Sequence, residues 1–310
     1  MRKAQDQDNA AYVRRVHDKG LRFDMQTMSR RRLLGVLGGA GALAALGACA
    51  TDSSTTASST SQASTAASAA TGSSEVASET AGPYPADGSN GPDVRTIDGI
   101  VRKDIRSSFG DASGTAEGVP LEFSLVVKDL TGAAVTGAAV YAWHCDRDGN
   151  YSLYSNGVTD QNYLRGIQET DSTGTATFTS IFPACYSGRW PHIHFEVYSS
   201  LANATSGDGP IVKTSQIAIP EDAADTVYAS DGYSKSVTNL SQVSLATDNV
   251  FGDDSAATEL ATVSGSVADG YQATLTISID PSGTETGGGT APSGGSGPGG
   301  TPPSGAPSAN

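Results

Sequence analysis

Apolar and polar residues alternate through several short segments in the middle of this 310-residue chain. A period of two is typical of β-strands with one buried face, because successive side chains of a strand point to opposite sides of the sheet. Gly- and Asp-containing turns separate the segments, and no segment in this part has a sustained helical period. The pattern predicts strands at 121–127, 138–143, 175–181, 192–198, 215–219, 261–267 and 272–279. We therefore expect an all-β fold with an antiparallel β-sandwich core.

The two ends of the chain differ in composition from the part that contains the strands. The basic run Ser29-Arg30-Arg31-Arg32 precedes a short apolar stretch, which predicts an export signal of the twin-arginine type. Leu46-Gly47-Ala48-Cys49 is similar to a lipobox, so Cys49 is a candidate for lipidation; the alternative is ordinary cleavage nearby. The chain thus divides into an export signal at 1–48, a disordered Ser/Thr/Ala-rich tether at 49–78, a folded domain at 79–280 and a disordered Gly/Pro-rich tail at 281–310.

Acidic side chains dominate the charge of the protein. There are 33 Asp and Glu residues against 19 Lys and Arg, which gives a formal net charge of −14. A surface of this sign repels phosphate backbones, so the composition excludes nucleic acid as a partner and favours neutral small molecules over polyanions. Together with the export signal, it predicts a secreted protein or a cell-surface lipoprotein, whose only contact with the membrane is a lipid on Cys49.

Two histidines lie in one predicted strand, at positions 192 and 194. Their spacing places both side chains on the same face of the sheet, with Cα atoms about 7 Å apart. Two imidazoles at this distance can reach one metal ion. A bare His-x-His pair is also typical of surface or hydrogen-bonded histidines, and the pair alone does not decide between the two interpretations.

The sequence around these histidines carries a more specific pattern. Its segments are Glu79-Thr80-Ala81-Gly82-Pro83-Tyr84, Val101-Arg102-Lys103-Asp104-Ile105, Trp143-His144-Cys145-Asp146-Arg147-Asp148-Gly149-Asn150-Tyr151-Ser152 and Ala184-Cys185-Tyr186-Ser187-Gly188-Arg189-Trp190-Pro191. In this order, from about residue 79 to 219, the chain resembles the intradiol ring-cleavage dioxygenases. It is most similar to their secreted branch, which is related to the protocatechuate dioxygenase subunits.

The resemblance implies a non-haem Fe(III) centre whose ligands are Tyr151, Tyr186, His192 and His194. Phenolate oxygens suit a hard ferric ion better than thiolates, which agrees with this ligand set. The implied reaction cleaves a catechol-type ring between its two hydroxyl-bearing carbons, incorporates both atoms of O2 and yields a cis,cis-muconate. The partners are then a catecholic small molecule and O2, and the sequence leaves open which catechol is used.

The same resemblance assigns roles to further residues. Tyr186 is the ligand that leaves the metal and accepts a substrate proton as a base. Arg189 stabilises negative charge on the substrate ring. Gln216 forms a hydrogen bond on the side of the site where oxygen binds. Tyr84 lines the mouth of the substrate pocket, although its segment could equally pack as a turn. For Arg189 and Gln216 the alternatives are a solvent-facing loop arginine and a strand amide satisfied by backbone.

Other polar residues of the motif are expected to be structural. Arg165 and Asp171 are predicted to pair charges near the loops, and His144 to lie outside the ligand set or at the surface. Cys145 and Cys185 precede the two ligand tyrosines, so an exported protein is expected to link them by a disulfide; the alternative is two buried thiols. The tether replaces the N-terminal helical region that cytoplasmic relatives use to dimerise, which leaves both a monomer and a homodimer open.

Two other functions remain to be separated from this one. The first is a lipid-anchored β-sandwich that binds a ligand without catalysis. The second is a different His-x-His metal enzyme, such as a cupin-like oxygenase or a zinc hydrolase, which would need Glu196 and His144 as additional ligands.

Overall fold

The computed structural model describes residues 74–285 of the chain. The export signal, Cys49, most of the tether and the tail beyond residue 285 lie outside the described residues. The described residues form eight strands: β1 (Pro120–Asp129), β2 (Ala139–Trp143), β3 (Arg165–Glu169), β4 (Thr175–Ile181), β5 (His192–Tyr198), β6 (Ile211–Ala218), β7 (Thr262–Ser266) and β8 (Gly270–Ile279). The helices are α1 (Leu201–Thr205), α2 (Glu221–Tyr228) and α3 (Ser234–Leu240), with 3-10 turns at Leu245–Thr247 and Phe251–Asp253. Over the described range, none of the helices has the length and apolarity needed to cross a membrane.

The strands form two four-stranded sheets, in the orders β4-β1-β8-β7 and β3-β2-β5-β6. The β-rich architecture predicted from the alternating pattern is confirmed, and each of the seven predicted strands is present. The prediction of a purely antiparallel fold is wrong in one place, because β1 and β8 pair in parallel. The pattern also missed β3, whose sequence Arg-Gly-Ile-Gln-Glu does not alternate.

One hydrophobic core is shared by both sheets. It contains Phe123 of β1 and Phe178 of β4, whose rings stack 4.9 Å apart, together with Phe195 of β5 and Ile217 of β6. A second core lies on the opposite face of the β3-β2-β5-β6 sheet. Its members include Tyr141 of β2 and residues from two loop segments, 81–100 and 151–154, which we call the outer layer.

The three helices lie in segments whose sequence has no helical period. They have only 5, 8 and 7 residues, too short for an apolar stripe to stand out. Val227 and Tyr228 of α2 nevertheless pack into the shared core. Tertiary burial, and not the local pattern, therefore stabilises these helices.

The packed unit extends beyond the predicted limits of 79 and 280. Val76 is 2% exposed and belongs to the shared core. The Lys213 ammonium lies 2.7 Å from a Glu75 oxygen and 3.0 Å from a Glu285 oxygen. A single lysine thus ties both ends of the described chain to β6, so these flanking residues are not part of a disordered tether or tail.

Candidate metal centre

Two histidines and two tyrosines bring four donor atoms together above one face of β5. His192 and His194 lie at the start of that strand, Tyr186 precedes it, and Tyr151 belongs to the outer layer. The Nε2 atom of His192 lies 3.1 Å from Nε2 of His194. The same atom lies 3.4 Å from the Tyr151 hydroxyl and 3.3 Å from the Tyr186 hydroxyl.

These separations fit ligands of one metal ion. Bonds of about 2.0–2.2 Å to a first-row ion place neighbouring donor atoms roughly 3 Å apart. Two imidazole nitrogens and two phenol oxygens form a hard, mixed donor set that suits a ferric ion. The side chains predicted as ligands are therefore held where a single ion can bind them all.

Hydrogen bonding and stacking fix the orientation of the two imidazoles. The Nδ1 atom of His192 bonds the carbonyl of Trp190, and because a carbonyl only accepts, this nitrogen carries the proton and Nε2 keeps its lone pair. The ring of His194 lies parallel to that of Trp143, with an angle of 2° and centroids 5.0 Å apart. A Cβ atom on Gly82 would lie 3.2 Å from His194 Cε1, and Gly82 also has φ +68°, so this position requires glycine.

Burial keeps His192, His194 and Tyr151 uncharged when no cation is near. It lowers the pKa of both His192 and His194 well below the usual range, and the nearby Arg189 lowers it further. Neutral imidazole is the form that binds metals. Burial, followed by the neighbouring Tyr186, raises the pKa of Tyr151 well above the usual value. Ionisation of Tyr151 at neutral pH would therefore need a bound cation.

Arg189 and Gln216 lie beside the donor atoms. Arg189 is 1% exposed, and its Nη1 lies 3.5 Å from His192 Nε2. Its Nη2 donates to Gln216 Oε1 at 2.6 Å, and its Nε donates to Asp248 Oδ2 at 3.0 Å. Arg189 is therefore not the solvent-facing loop residue of the alternative interpretation.

Gln216 and Tyr84 connect the site to residues 80–84, where the outer layer begins. Gln216 pairs with His194 across β5 and β6, and its Nε2 donates to the Thr80 carbonyl at 2.8 Å. The half-buried Tyr84 ring lies 4.9 Å from the Tyr151 ring. This contact places Tyr84 against one of the candidate ligands.

The residues predicted to be structural lie away from the four donor atoms. His144 is buried and not at the surface, and its Nε2 bonds the Ser180 hydroxyl at 2.7 Å. Arg165 donates to the Ser152 and Pro85 carbonyls, so it supports the loop of Tyr151 through backbone oxygens. Asp171 accepts from backbone nitrogens of its own turn.

The structure gives no support to a carboxylate-based metal site. Glu196 accepts a hydrogen bond from the Tyr198 hydroxyl at 2.6 Å, and His144 bonds Ser180. Within residues 74–285, no group of three or more His, Cys, Asp and Glu side chains is arranged to hold a metal ion. The cupin-like and zinc-hydrolase alternatives need such a group.

The predicted disulfide between Cys145 and Cys185 is not formed, and both are buried free thiols. The Cys145 thiol donates to the Ala184 carbonyl at 3.6 Å, and the Cys185 thiol donates to the Arg189 carbonyl at 3.3 Å. Each sulfur thus has its own backbone acceptor. Adjacency to the ligand tyrosines in sequence did not orient the two sulfurs toward each other.

Sequence reasoning missed three residues that shape the centre: Asp248, Trp143 and Gly82. Asp248 lies in an irregular segment 54 positions after His194, so no local motif connects it to the site. Trp143 and Gly82 stood inside the recognised segments, yet only the folded chain shows that Trp143 stacks on the His194 ring and that a side chain at position 82 would meet it.

Known proteins share both the sequence pattern and the fold. Residues 90–193 match the family model Dioxygenase_C, described as "Dioxygenase". Chlorocatechol 1,2-dioxygenase of Rhodococcus opacus is 39% identical over 66 residues, which are 21% of this chain and 26% of that relative. This match therefore spans only about a quarter of the relative's length.

Solved structures give a broader match. The intradiol ring-cleavage dioxygenase from Tetranychus urticae has a TM-score of 0.54 and 24% identity, and the match covers 69% of this chain and 98% of that one. For 3-chlorocatechol 1,2-dioxygenase from Rhodococcus opacus 1CP the TM-score is 0.41 and the identity 20%, with 71% and 76% covered. The comparisons confirm the resemblance to the intradiol ring-cleavage dioxygenases that the motif segments indicated.

Proposed function

We propose that this protein is a non-haem Fe(III) dioxygenase that cleaves catechol-type rings between the two hydroxyl-bearing carbons to give cis,cis-muconate-type products. The observation that carries the proposal is the convergence of two phenols and two neutral imidazoles, all within 3.4 Å of His192 Nε2, beside a buried guanidinium. The similarity to chlorocatechol 1,2-dioxygenase supports the same reaction class.

The donor set fits a ferric ion held by Tyr151, Tyr186, His192 and His194. When bound, such an ion supplies the means to bind a deprotonated diol and to make its ring reactive toward O2. The two phenols lose their protons to become ligands, so the negative charge they gain offsets most of the charge of the ion. A buried centre with little net charge costs less desolvation energy than a charged one.

The two tyrosines differ in exposure, and this difference suggests different roles. Tyr151 is 1% exposed, whereas Tyr186 is half-buried. A catechol must lose two protons to bind as a dianion, and Tyr186, the more exposed of the two side chains, is the better placed to accept one. Tyr151 is enclosed by the Tyr84 ring and the second core, which suits a ligand that stays in place.

Arg189 supplies a permanent positive charge beside the ligands. Arginine stays protonated in proteins, and a buried cation acts more strongly than an exposed one, because the surroundings screen it less. Its Nη1 lies 3.5 Å from a ligand nitrogen, which is close enough to stabilise negative charge on a ring bound at the same centre.

We further infer that the two sheets pack face to face as a β-sandwich, since side chains from both contribute to one core. The protein is proposed to be exported, either secreted or anchored through Cys49, on the basis of the N-terminal pattern. Its partners are then a catecholic substrate and O2, with a lipid anchor as its only membrane contact, and it acts as a monomer or homodimer.

Oxygen uptake by the iron-loaded full-length protein tests the proposal. We expect a coloured ferric protein that consumes one O2 per ring on at least one member of a panel containing catechol, hydroxyquinol and protocatechuate, and that forms a muconate-type dicarboxylate. Mass spectrometry of the product and an oxygen electrode give the two readouts. A semialdehyde product, or a fully iron-loaded protein inert toward the whole panel, would overturn the assignment.

A further inference from the structure

We propose that Asp248 is a positioning residue that fixes the guanidinium of Arg189 in the orientation needed at the metal centre. The inference concerns a residue outside every recognised motif segment, and its catalytic consequence rests on the function proposed above. Its structural basis is that both carboxylate oxygens of Asp248 accept hydrogen bonds from the protein.

The two carboxylate oxygens of Asp248 accept hydrogen bonds from different donors. Oδ2 accepts from Arg189 Nε at 3.0 Å and from the Trp190 backbone nitrogen at 2.7 Å. Oδ1 accepts from the backbone nitrogens of Val250 at 2.8 Å and Phe251 at 2.9 Å. Asp248 is 2% exposed. The carboxylate is thus anchored to the chain on one side and holds the arginine on the other.

The arginine is held from a second direction by Gln216. Nη2 of Arg189 donates to Gln216 Oε1 at 2.6 Å, and Gln216 is itself fixed by its bond to the Thr80 carbonyl at 2.8 Å. A planar guanidinium bound at Nε and at Nη2 cannot rotate about its last bonds without losing both contacts. Nη1 is thereby directed toward His192 Nε2, 3.5 Å away.

Removal of the contact at Nε takes away the carboxylate partner of the guanidinium, while the hydrogen bond of Nη2 to Gln216 and the contact with the Phe251 ring stay. The cation would then remain in the site but would no longer be held at one position. Misplacement by about 1 Å can cost about a hundredfold in rate, because the reacting groups lose their alignment. The inference therefore predicts a loss of turnover without a loss of the metal.

The substitution Asp248→Asn isolates this contact. An asparagine can keep its carbonyl oxygen toward the Val250 and Phe251 nitrogens, while its NH2 group would face the Arg189 and Trp190 donors and could not accept from them. Asp225→Asn on the exposed face of α2 is a matched control for the loss of one carboxylate charge.

A double-mutant cycle with Arg189→Ala measures the coupling in the iron-loaded protein. We expect Asp248→Asn to lower kcat/KM about 10- to 100-fold with iron content unchanged, and to change it less than about twofold when Arg189 is already alanine. The Asp225→Asn protein should match the wild type. Equal losses in both backgrounds, or wild-type turnover in Asp248→Asn, would show that Asp248 does not act through Arg189.

A second readout does not depend on turnover. In the full-length protein loaded with Ga³⁺, the Nε–H of Arg189 should give a slowly exchanging NMR signal, identified by its loss in Arg189→Ala. We expect fast exchange in Asp248→Asn and unchanged exchange in Asp225→Asn. A protected signal in Asp248→Asn would refute the positioning role.

The two readouts separate this inference from the proposed function. A wild-type protein that is inert toward all catechols would refute the proposed function. The exchange rate of the Arg189 Nε proton would still test whether Asp248 positions the guanidinium. Should Asp248→Asn fail to fold, Asp248→Glu takes its place in both experiments, because it keeps the charge but cannot make the same four contacts. Wild-type values for Asp248→Glu in both would then count against the proposal.

Discussion

The two sheets of this protein bury their side chains in different ways. In β1 and β8 buried residues alternate with exposed or half-buried ones, so that sheet covers a core on one face only. Every residue of β2, β5 and β6 is buried, because the outer layer covers the second face of that sheet. The two histidines predicted as ligands lie on this second face.

A sheet with two covered faces can hold polar side chains away from water. On its second face, His192, His194 and Gln216 are each no more than 2% exposed. Burial there keeps the imidazoles neutral and makes the charge of Arg189 effective over a short distance. The β4-β1-β8-β7 sheet, which we call the one-sided sheet, contributes stability. The β3-β2-β5-β6 sheet, which we call the two-sided sheet, contributes stability and also the candidate site.

The largest expected effect is the loss of a ligand from the two-sided sheet. His192→Ala should lose iron and activity together. The loss should exceed the roughly 10- to 100-fold decrease in metal affinity or activity that follows removal of a hydrogen-bond partner of a ligand. Iron analysis and oxygen uptake measure both. Thr276→Ala on the exposed face of β8 should leave both unchanged. Full iron content in His192→Ala would contradict the ligand assignment.

The next effect distinguishes the two tyrosines. Tyr186→Phe removes the hydroxyl of the more exposed tyrosine and should lower kcat about 10²- to 10⁴-fold, the range typical of a lost general base. Tyr151→Phe should mainly reduce iron binding, since Tyr151 is the enclosed ligand. Visible spectra and iron content compare the two proteins. Indistinguishable variants would refute the division of roles.

Stability measurements test the difference between the sheets directly. In β8, Leu275→Ala should lower the free energy of unfolding by about 2–5 kcal/mol, because it opens a cavity. Thr276→Ala, at an exposed position of the same strand, should change it by no more than about 0.5 kcal/mol. In β2, both Val140→Ala and Tyr141→Ala should cost about 2 kcal/mol or more, since each faces a core. Urea denaturation measures all four; a tolerated Tyr141→Ala would contradict the second core.

A pH effect is expected where His144, the residue directly after β2, bonds Ser180 of β4. Burial lowers the pKa of His144 to about 4 from its usual 6.5. The unfolded chain therefore binds the proton first, and stability falls as the pH drops from about 6.5 to 4, by about 2 kcal/mol between pH 7 and pH 5. His144→Gln should show a smaller decrease over this interval in urea denaturation; an identical decrease would exclude His144 as a source.

The smallest expected effect is that of reduction. Cys145 and Cys185 are free, so a thiol reductant should leave the melting temperature unchanged. Both should react with a thiol reagent only after denaturation, since both are 1% exposed. Melting curves with and without reductant decide the matter, and a large decrease with reductant would indicate a disulfide after all.

The sequence was most informative where structure is local. Period-two alternation located the strands, including β5 with its two histidines, because it reflects which side of a strand each side chain takes. It failed for β3, whose residues are buried on both faces near Arg165 and therefore need no alternation. It also failed for the short helix α2, whose burial depends on distant partners.

The motif segments likewise predicted four candidate ligands but could not position them. Tyr151, Tyr186 and the two histidines were predicted from their order along the chain, which carries no distances. The disulfide prediction shows the limit of such reasoning, because the sulfurs of Cys145 and Cys185 point to separate carbonyls.

The sequence by itself determined the strand-forming pattern, the types of donor atoms and the acidic charge, because these depend on residue identity and nearest neighbours. Only the tertiary structure decided that the outer layer covers the second face of one sheet, that the four donor atoms meet, and that Asp248 reaches Arg189. These features depend on contacts between residues tens of positions apart. Such contacts form when burial of apolar surface outweighs the entropy of closing the intervening loops.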